Sequence, residues 1–153
     1  MTCKNDLYHA FLLITQMKVS EKIKIKFLTE LFSETDNPWR VVGITKKALE
    51  VFKKYDFNRE SKMGINRSHL NDRKATYTEM LNSKFENSTE WWNYYYKNDK
   101  TVFATSSENM SSSLNDIIFF KNSEDLFKSS GYAWTHRKKN EVPYLQKLAD
   151  EHL

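Results

Sequence analysis

Only three glycines and two prolines punctuate the 153 residues of this chain. Glycine supplies left-handed turns and proline fixes turn starts, so few tight turns are available. That scarcity argues against a sandwich of many short strands, a glycine-rich phosphate loop or a flexible linker. Ten Phe, eight Tyr and four Trp stand beside it. Such side chains bury large areas, so the chain builds a core despite its polar average. At this length one domain is expected, with roughly 70% of the unfolded surface removed from water.

Other classes are excluded by what the chain lacks. No run of about 18 apolar residues is present, so no membrane span is expected. The start, Lys4-Asn5-Asp6 before the short Leu12-Leu13-Ile14, does not read as a secretory signal. A single Cys3 rules out an internal disulfide and a Cys-rich zinc site, which points to a reducing, cytoplasmic setting. The formal charge of +4 and pI of about 9.0 permit a nucleic-acid partner.

Periodicity orders the elements. Residues 5–17 place Tyr8, Phe11, Leu12 and Thr15 at helical spacing. Residues 20–33 repeat the pattern with Ile23, Phe27, Leu28, Leu31 and Phe32, which predicts a helical hairpin exposing Lys18, Lys22, Lys24 and Lys26. Asp36-Asn37-Pro38 breaks it. Residues 39–42 read as a strand, and Thr45 caps a helix through Tyr55 with Ala48, Leu49 and Phe52 on its core face. Residues 56–64 read as a loop and residues 65–70 as extended chain. Asn71 or Asp72 opens a helix to about residue 84, with Tyr77, Met80 and Leu81 inward. Asn87 with Glu90 has capping-box spacing and opens a helix carrying Trp91, Trp92, Tyr95 and Tyr96, read mainly as packing residues.

Residues 101–105 predict a strand, residues 106–116 a polar loop, and residues 117–120 and 132–135 two more strands. Residues 140–153 predict a helix with Tyr144, Leu145 and Leu148 inward and Pro143 in its first turn. The expected class is α+β, predominantly helical, with a small antiparallel sheet or β-hairpin. Residues 1–36 form an N-terminal helical hairpin packed on a main domain of residues 37–153.

Four histidines narrow the search for chemistry. His9 lies on the first helix and His152 at the terminus. His136 belongs to the cluster His136-Arg137-Lys138-Lys139, which suits phosphate contact better than proton transfer. His69 follows Arg67 at the end of an extended segment. A histidine that titrates near neutrality is suited to general-base work.

The segment Ile65-Asn66-Arg67-Ser68-His69-Leu70 resembles the first strand of the HNH, or His-Me finger, endonucleases. Residues 102–109 resemble the second strand and the start of the helix that follows. They include the Thr-x-x-Glu-Asn pattern of phage homing enzymes of this class, here Thr105 to Asn109. Ser68 stands where most members carry an acidic residue, and the connection from His69 to Asp99 is long for the family.

The resemblance implies a β-hairpin and helix holding one divalent metal, Mg²⁺ or Mn²⁺. His69 would take a proton from the attacking water, with Arg67 as support. Asn109 would ligate the metal, joined by Asp99 and Glu108, since a hard cation takes oxygen ligands. Such a site requires the His69 and Asn109 side chains to converge within about 4–7 Å of a common point.

The expected function is metal-dependent hydrolysis of double-stranded DNA, of the phage homing type, in the host cytoplasm. Neither a small-molecule cofactor nor a membrane is expected. Arg67 and Arg73 flank His69 and suit a clamp on the scissile strand, Lys74 is a further nucleic-acid contact, and Trp134, His136, Arg137, Lys138 and Lys139 form another contact patch. Two alternatives stand beside this: a basic nucleic-acid-binding or regulatory protein without catalysis, and a nuclease of the PD-(D/E)xK type. The latter would draw on Glu86, Glu90, Asp99 and Glu108.

Overall fold

A computed structural model describes residues 3–35, 39–58, 60–111, 114–121 and 141–153. In chain order its elements are α1 (Lys4–Gln16), α2 (Glu21–Ser33), β1 (Arg40–Thr45), α3 (Lys46–Lys54), β2 (Ile65–His69) and α4 (Arg73–Asn82). There follow α5 (Ser88–Asn98), β3 (Lys100–Thr105), α6 (Ser106–Ser111), β4 (Ile117–Phe119) and α7 (Glu141–His152). A 3₁₀ turn at Ser61–Met63 precedes β2. The architecture is α+β, mostly helical, with an N-terminal helical hairpin and one small sheet. No helix of the described residues is long and apolar enough to cross a membrane.

The chain divides into two units, residues 1–38 with 70–100 and residues 39–69 with 101–153. This grouping differs from the division at residue 36. The hairpin shares its unit with α4 and α5, which the sequence places in the main domain.

The helical unit is organised by aromatic rings. Trp91 is fully buried, with ring centroids 5.5 Å from both Phe11 and Phe32 and 5.6 Å from Tyr8. Phe32 and Tyr95 stack at 3.6 Å. Leu7, Ile14, Leu28, Tyr77 and Met80 complete this core. Burying each large apolar side chain stabilises by about 1.5–3 kcal/mol. Ile23 and Phe27, counted with the apolar stripe of α2, remain exposed. They lie about 100° or more around the helix from Leu28 and Phe32, so the stripe is narrower than their spacing suggests.

Local signals start the helices as the sequence predicts. The Asp72 side chain accepts from the backbone N–H of Ala75, and Asn87 accepts from Thr89 and Glu90. The Glu90 carboxylate accepts from the Glu86 N–H rather than from that of Asn87. The box therefore closes one residue further back than its spacing implies.

In the sheet unit the strand order is β2-β3-β1-β4. β2 pairs antiparallel with β3 and β1 antiparallel with β4. Val41, Ile44, Ala48, Leu49, Phe52 and Phe103 form the core, joined by Leu145, Leu148 and Ala149 of α7. Thr45 caps α3 by accepting from the Ala48 N–H.

Two glycines are tied to backbone geometry. Gly64 has φ 62°, in the left-handed region that favours glycine, where the chain enters β2. Gly43 faces β4 so closely that a Cβ there would lie 2.8 Å from the Ile118 carbonyl oxygen.

Residues 106–111 form α6, where the sequence suggested polar loop through residue 116. The suggested strand at residues 132–135 and the break at Asp36-Asn37-Pro38 lie outside the described residues.

Candidate functional site

β2 decides which side chains can meet. Successive residues of a strand point to opposite faces of the sheet. The Ser68 hydroxyl, on a residue 3% exposed, donates to the Asn109 side-chain oxygen at 2.7 Å. Asn66 reaches the same helix, its side-chain amide donating to the Ser106 hydroxyl at 3.1 Å. Asn66 and Ser68 therefore face α6. Ile65, Arg67 and His69 face the other way, beside Thr105, Phe103 and Thr101 in the antiparallel register. The convergence of His69 with Asn109 is not made, because their side chains serve opposite faces of β2.

On the His69 face, the Arg67 guanidinium lies 5.4 Å from the centre of the Trp39 ring and donates to the Trp39 carbonyl at 3.3 Å. The Thr101 hydroxyl donates to that same carbonyl at 3.0 Å. Trp39 has φ 55°, a strained conformation for a bulky residue. Arg67 thus helps hold the entry to β1.

Glu108 is 5% exposed, and one carboxylate oxygen accepts three hydrogen bonds. The donors are the Thr105 N–H at 2.9 Å, the Thr105 hydroxyl at 2.8 Å and the Thr45 hydroxyl at 2.9 Å. The Glu108 N–H in turn donates to the Thr105 hydroxyl at 3.3 Å. This is a capping box: the Thr-x-x-Glu pattern opens α6 and ties it to Thr45, the cap of α3. Four of the five residues that resemble a nuclease signature, Thr105 to Glu108, carry a helix start, which is why α6 forms where a loop was expected.

Asp99 belongs to the helical unit, is 7% exposed, and accepts from the Tyr95 hydroxyl at 2.9 Å. Burial and the neighbouring Asp99 charge push the Tyr95 phenol well above its ordinary value. Tyr94 is pushed up to about 12 by partial burial and by Glu79. Within the sheet unit, His69 and Asn109 thus serve opposite faces of β2, and the Glu108 carboxylate is an acceptor at a helix start; within the helical unit, Asp99 is an acceptor for Tyr95. Of the alternative carboxylate pool, Glu86 and Glu90 lie at the start of α5. Arg73 and Lys74 are exposed in the first turn of α4. Trp134, His136, Arg137, Lys138 and Lys139 lie outside the described residues.

Charge is distributed unevenly between the two units. The helical unit carries ten Lys and Arg against ten Asp and Glu, whereas the sheet unit carries fourteen against ten. The entire net charge of +4 therefore falls on the sheet unit. Residues 39–69 hold eight of those cations and only three acids.

Their most concentrated part is α3. Ala48, Leu49 and Phe52 bury one face, while Lys46, Lys47, Lys53 and Lys54 are all exposed on the other. Among the described residues none of these four makes an ion pair. On the hairpin, Lys24 donates to the Thr15 carbonyl at 2.6 Å, while Lys18, Lys22 and Lys26 are exposed but lie in the unit where acids equal Lys and Arg in number. The α3 signal, lysines at i, i+1, i+7 and i+8, is legible in the sequence. Compared with known proteins, the chain matches no family model, no curated protein and no solved structure.

Proposed function

We propose that this protein binds nucleic acid through its sheet unit, with the lysine face of α3 as the phosphate-contacting surface. The observation that carries this is the concentration of the net charge on one unit and of four exposed lysines on one helix face. Lysines that neutralise phosphates release condensed counterions, so binding of this kind is strongly salt-dependent. Fluorescence anisotropy with labelled DNA tests it. Four phosphate contacts predict that affinity falls about 100-fold between roughly 50 and 200 mM salt. Replacing Lys46, Lys47, Lys53 and Lys54 by Gln should abolish most binding and flatten that dependence. Unchanged binding by the fourfold variant would sink the assignment.

Phosphodiester hydrolysis is the second reading. One observation favours it: β2 and β3 pair antiparallel and α6 follows β3 at once, a pair of strands and a helix like those of the endonucleases the sequence resembles, with α4 and α5 inserted between the two strands. Supercoiled plasmid with Mg²⁺ or Mn²⁺ is the assay. Nicking by the wild type that His69→Ala abolishes, with DNA binding intact, supports hydrolysis at His69. If the wild type leaves the plasmid intact, hydrolysis is discarded and the binding function stands on its own test.

A further inference from the structure

The lysines of α3 are not spread evenly over its solvent face. At about 100° per residue, and taking Lys46 as the origin, Lys53 falls near −20°, Lys47 near 100° and Lys54 near 80°. Two rows result, Lys46 with Lys53 on one flank and Lys47 with Lys54 on the other. Within each row the lysines are seven residues apart, about 10.5 Å along the axis. Glu50 falls near 40°, midway between the rows and midway along the helix. It is exposed and makes no ion pair among the described residues, although Lys46 and Lys54 each lie four positions away. The buried Ala48, Leu49 and Phe52 hold the opposite side against the core of the sheet unit, so this face is presented on a fixed support.

From this placement we infer that α3 enters the major groove of duplex DNA, its two lysine rows reaching the two phosphate backbones and Glu50 facing the base edges. The inference rests on the nucleic-acid-binding reading and adds to it the duplex, the groove and a residue that reads sequence. The widths agree: an α-helix with its side chains is about 10–12 Å across and the major groove is about 12 Å wide. A single strand offers one backbone and would leave one row without phosphates. The carboxylate in the middle is the informative part. A glutamate facing phosphates would be repelled, whereas in the major groove it can accept from the N4 amino group of cytosine.

The test uses the full chain and three measurements. Anisotropy compares a duplex with a single strand of the same sequence; the duplex should bind more tightly, with a salt slope near 3.6, about 0.9 for each of four phosphates. Lys46→Gln with Lys53→Gln, and separately Lys47→Gln with Lys54→Gln, should each lower that slope by about 1.8. Selection from a randomised duplex pool should give a site with one position preferring cytosine by about tenfold, and Glu50→Gln should move that preference to adenine, the base a glutamine amide matches. Equal binding of duplex and single strand, or loss of slope from one row only, overturns the groove placement while binding stands. A cytosine preference that is absent, or that Glu50→Gln leaves unchanged, overturns the role of Glu50. Failure to bind either nucleic acid overturns the binding function and this inference together.

Discussion

The Ser68 hydroxyl donates to the Asn109 side-chain oxygen at 2.7 Å, joining the middle of β2 to α6. That bond fixes which face of β2 the helix covers, and with it the side on which His69 lies. Ser68 is buried whereas Asn109 is exposed, so the two ends of the bond differ in what they lose when it is cut. Ser68→Ala removes the donor, and water can replace it at the exposed Asn109. The expected loss is about 0.5–1.5 kcal/mol in urea unfolding. Asn109→Leu leaves the buried Ser68 hydroxyl unmet and should cost more, about 1–3 kcal/mol. The reverse order would show that Ser68 has another partner to turn to.

Glu108 joins two helix caps, so its removal acts on both. Glu108→Ala leaves the buried Thr45 hydroxyl and the Thr105 N–H without their acceptor. A loss of roughly 2–4 kcal/mol is expected, a cap of about 1 kcal/mol plus the bonds to a charged group. Glu108→Gln keeps an acceptor oxygen and should recover most of it. Thermal unfolding of the two variants side by side checks the ranking. Equal destabilisation would mean that charge, rather than an acceptor in that position, is what the site requires.

Gly43 lies opposite Phe119 in the β1–β4 pairing. A methyl group there meets the Ile118 carbonyl at 2.8 Å, and a strand backbone has little room to yield. Gly43→Ala should therefore destabilise by about 1–3 kcal/mol, the usual cost of overpacking. Hydrogen exchange should localise the damage, with the amides of β1 and β4 losing protection before those of β2 and β3. Neutral or improved stability would show that the two strands separate easily.

Tyr95 makes the stability of the helical unit sensitive to alkali. Burial and the Asp99 charge raise its phenol in the fold, so the folded chain holds the proton more tightly than the unfolded chain. The sign follows: the contribution is complete below about pH 10, where an unfolded tyrosine is neutral, and is lost as pH rises above it. Each such tyrosine should contribute a slope of about 1.4 kcal/mol per pH unit there. Tyr95→Phe costs about 1–3 kcal/mol at pH 7, since the buried Asp99 loses one donor, but should show a shallower decline above pH 10. Parallel slopes for wild type and variant would remove Tyr95 as the cause.

The alternation of side chains along β2 explains why the site was harder to read than the fold. The residue types at Arg67, His69, Glu108 and Asn109 suggest hydrolytic chemistry when read in order. Parity along an isolated strand says that Ser68 and His69 oppose each other, but not which face a distant helix will cover. The Thr-x-x-Glu spacing was legible as a helix start. Its carboxylate was read for metal chemistry because the buried Thr45 that also engages it lies 63 positions away.

What the sequence determined by itself was local. Helical spacing and caps at Thr45, Asp72 and Asn87 set the helices within a few residues, because a cap acts over three or four positions. β-branched and aromatic runs marked strands at residues 101–105 and 117–120, each within one residue of the strand found. The tertiary structure decided the matters that depend on separation in the chain. Residues 70–100 share a core with the N-terminal hairpin because Tyr77, Met80, Trp91 and Tyr95 find Phe11 and Phe32, a match of shapes that no local window contains. That grouping leaves the helical unit neutral and places the net positive charge on the unit that carries α3. A charge total is a property of composition; its concentration on one unit depends on which segments fold together.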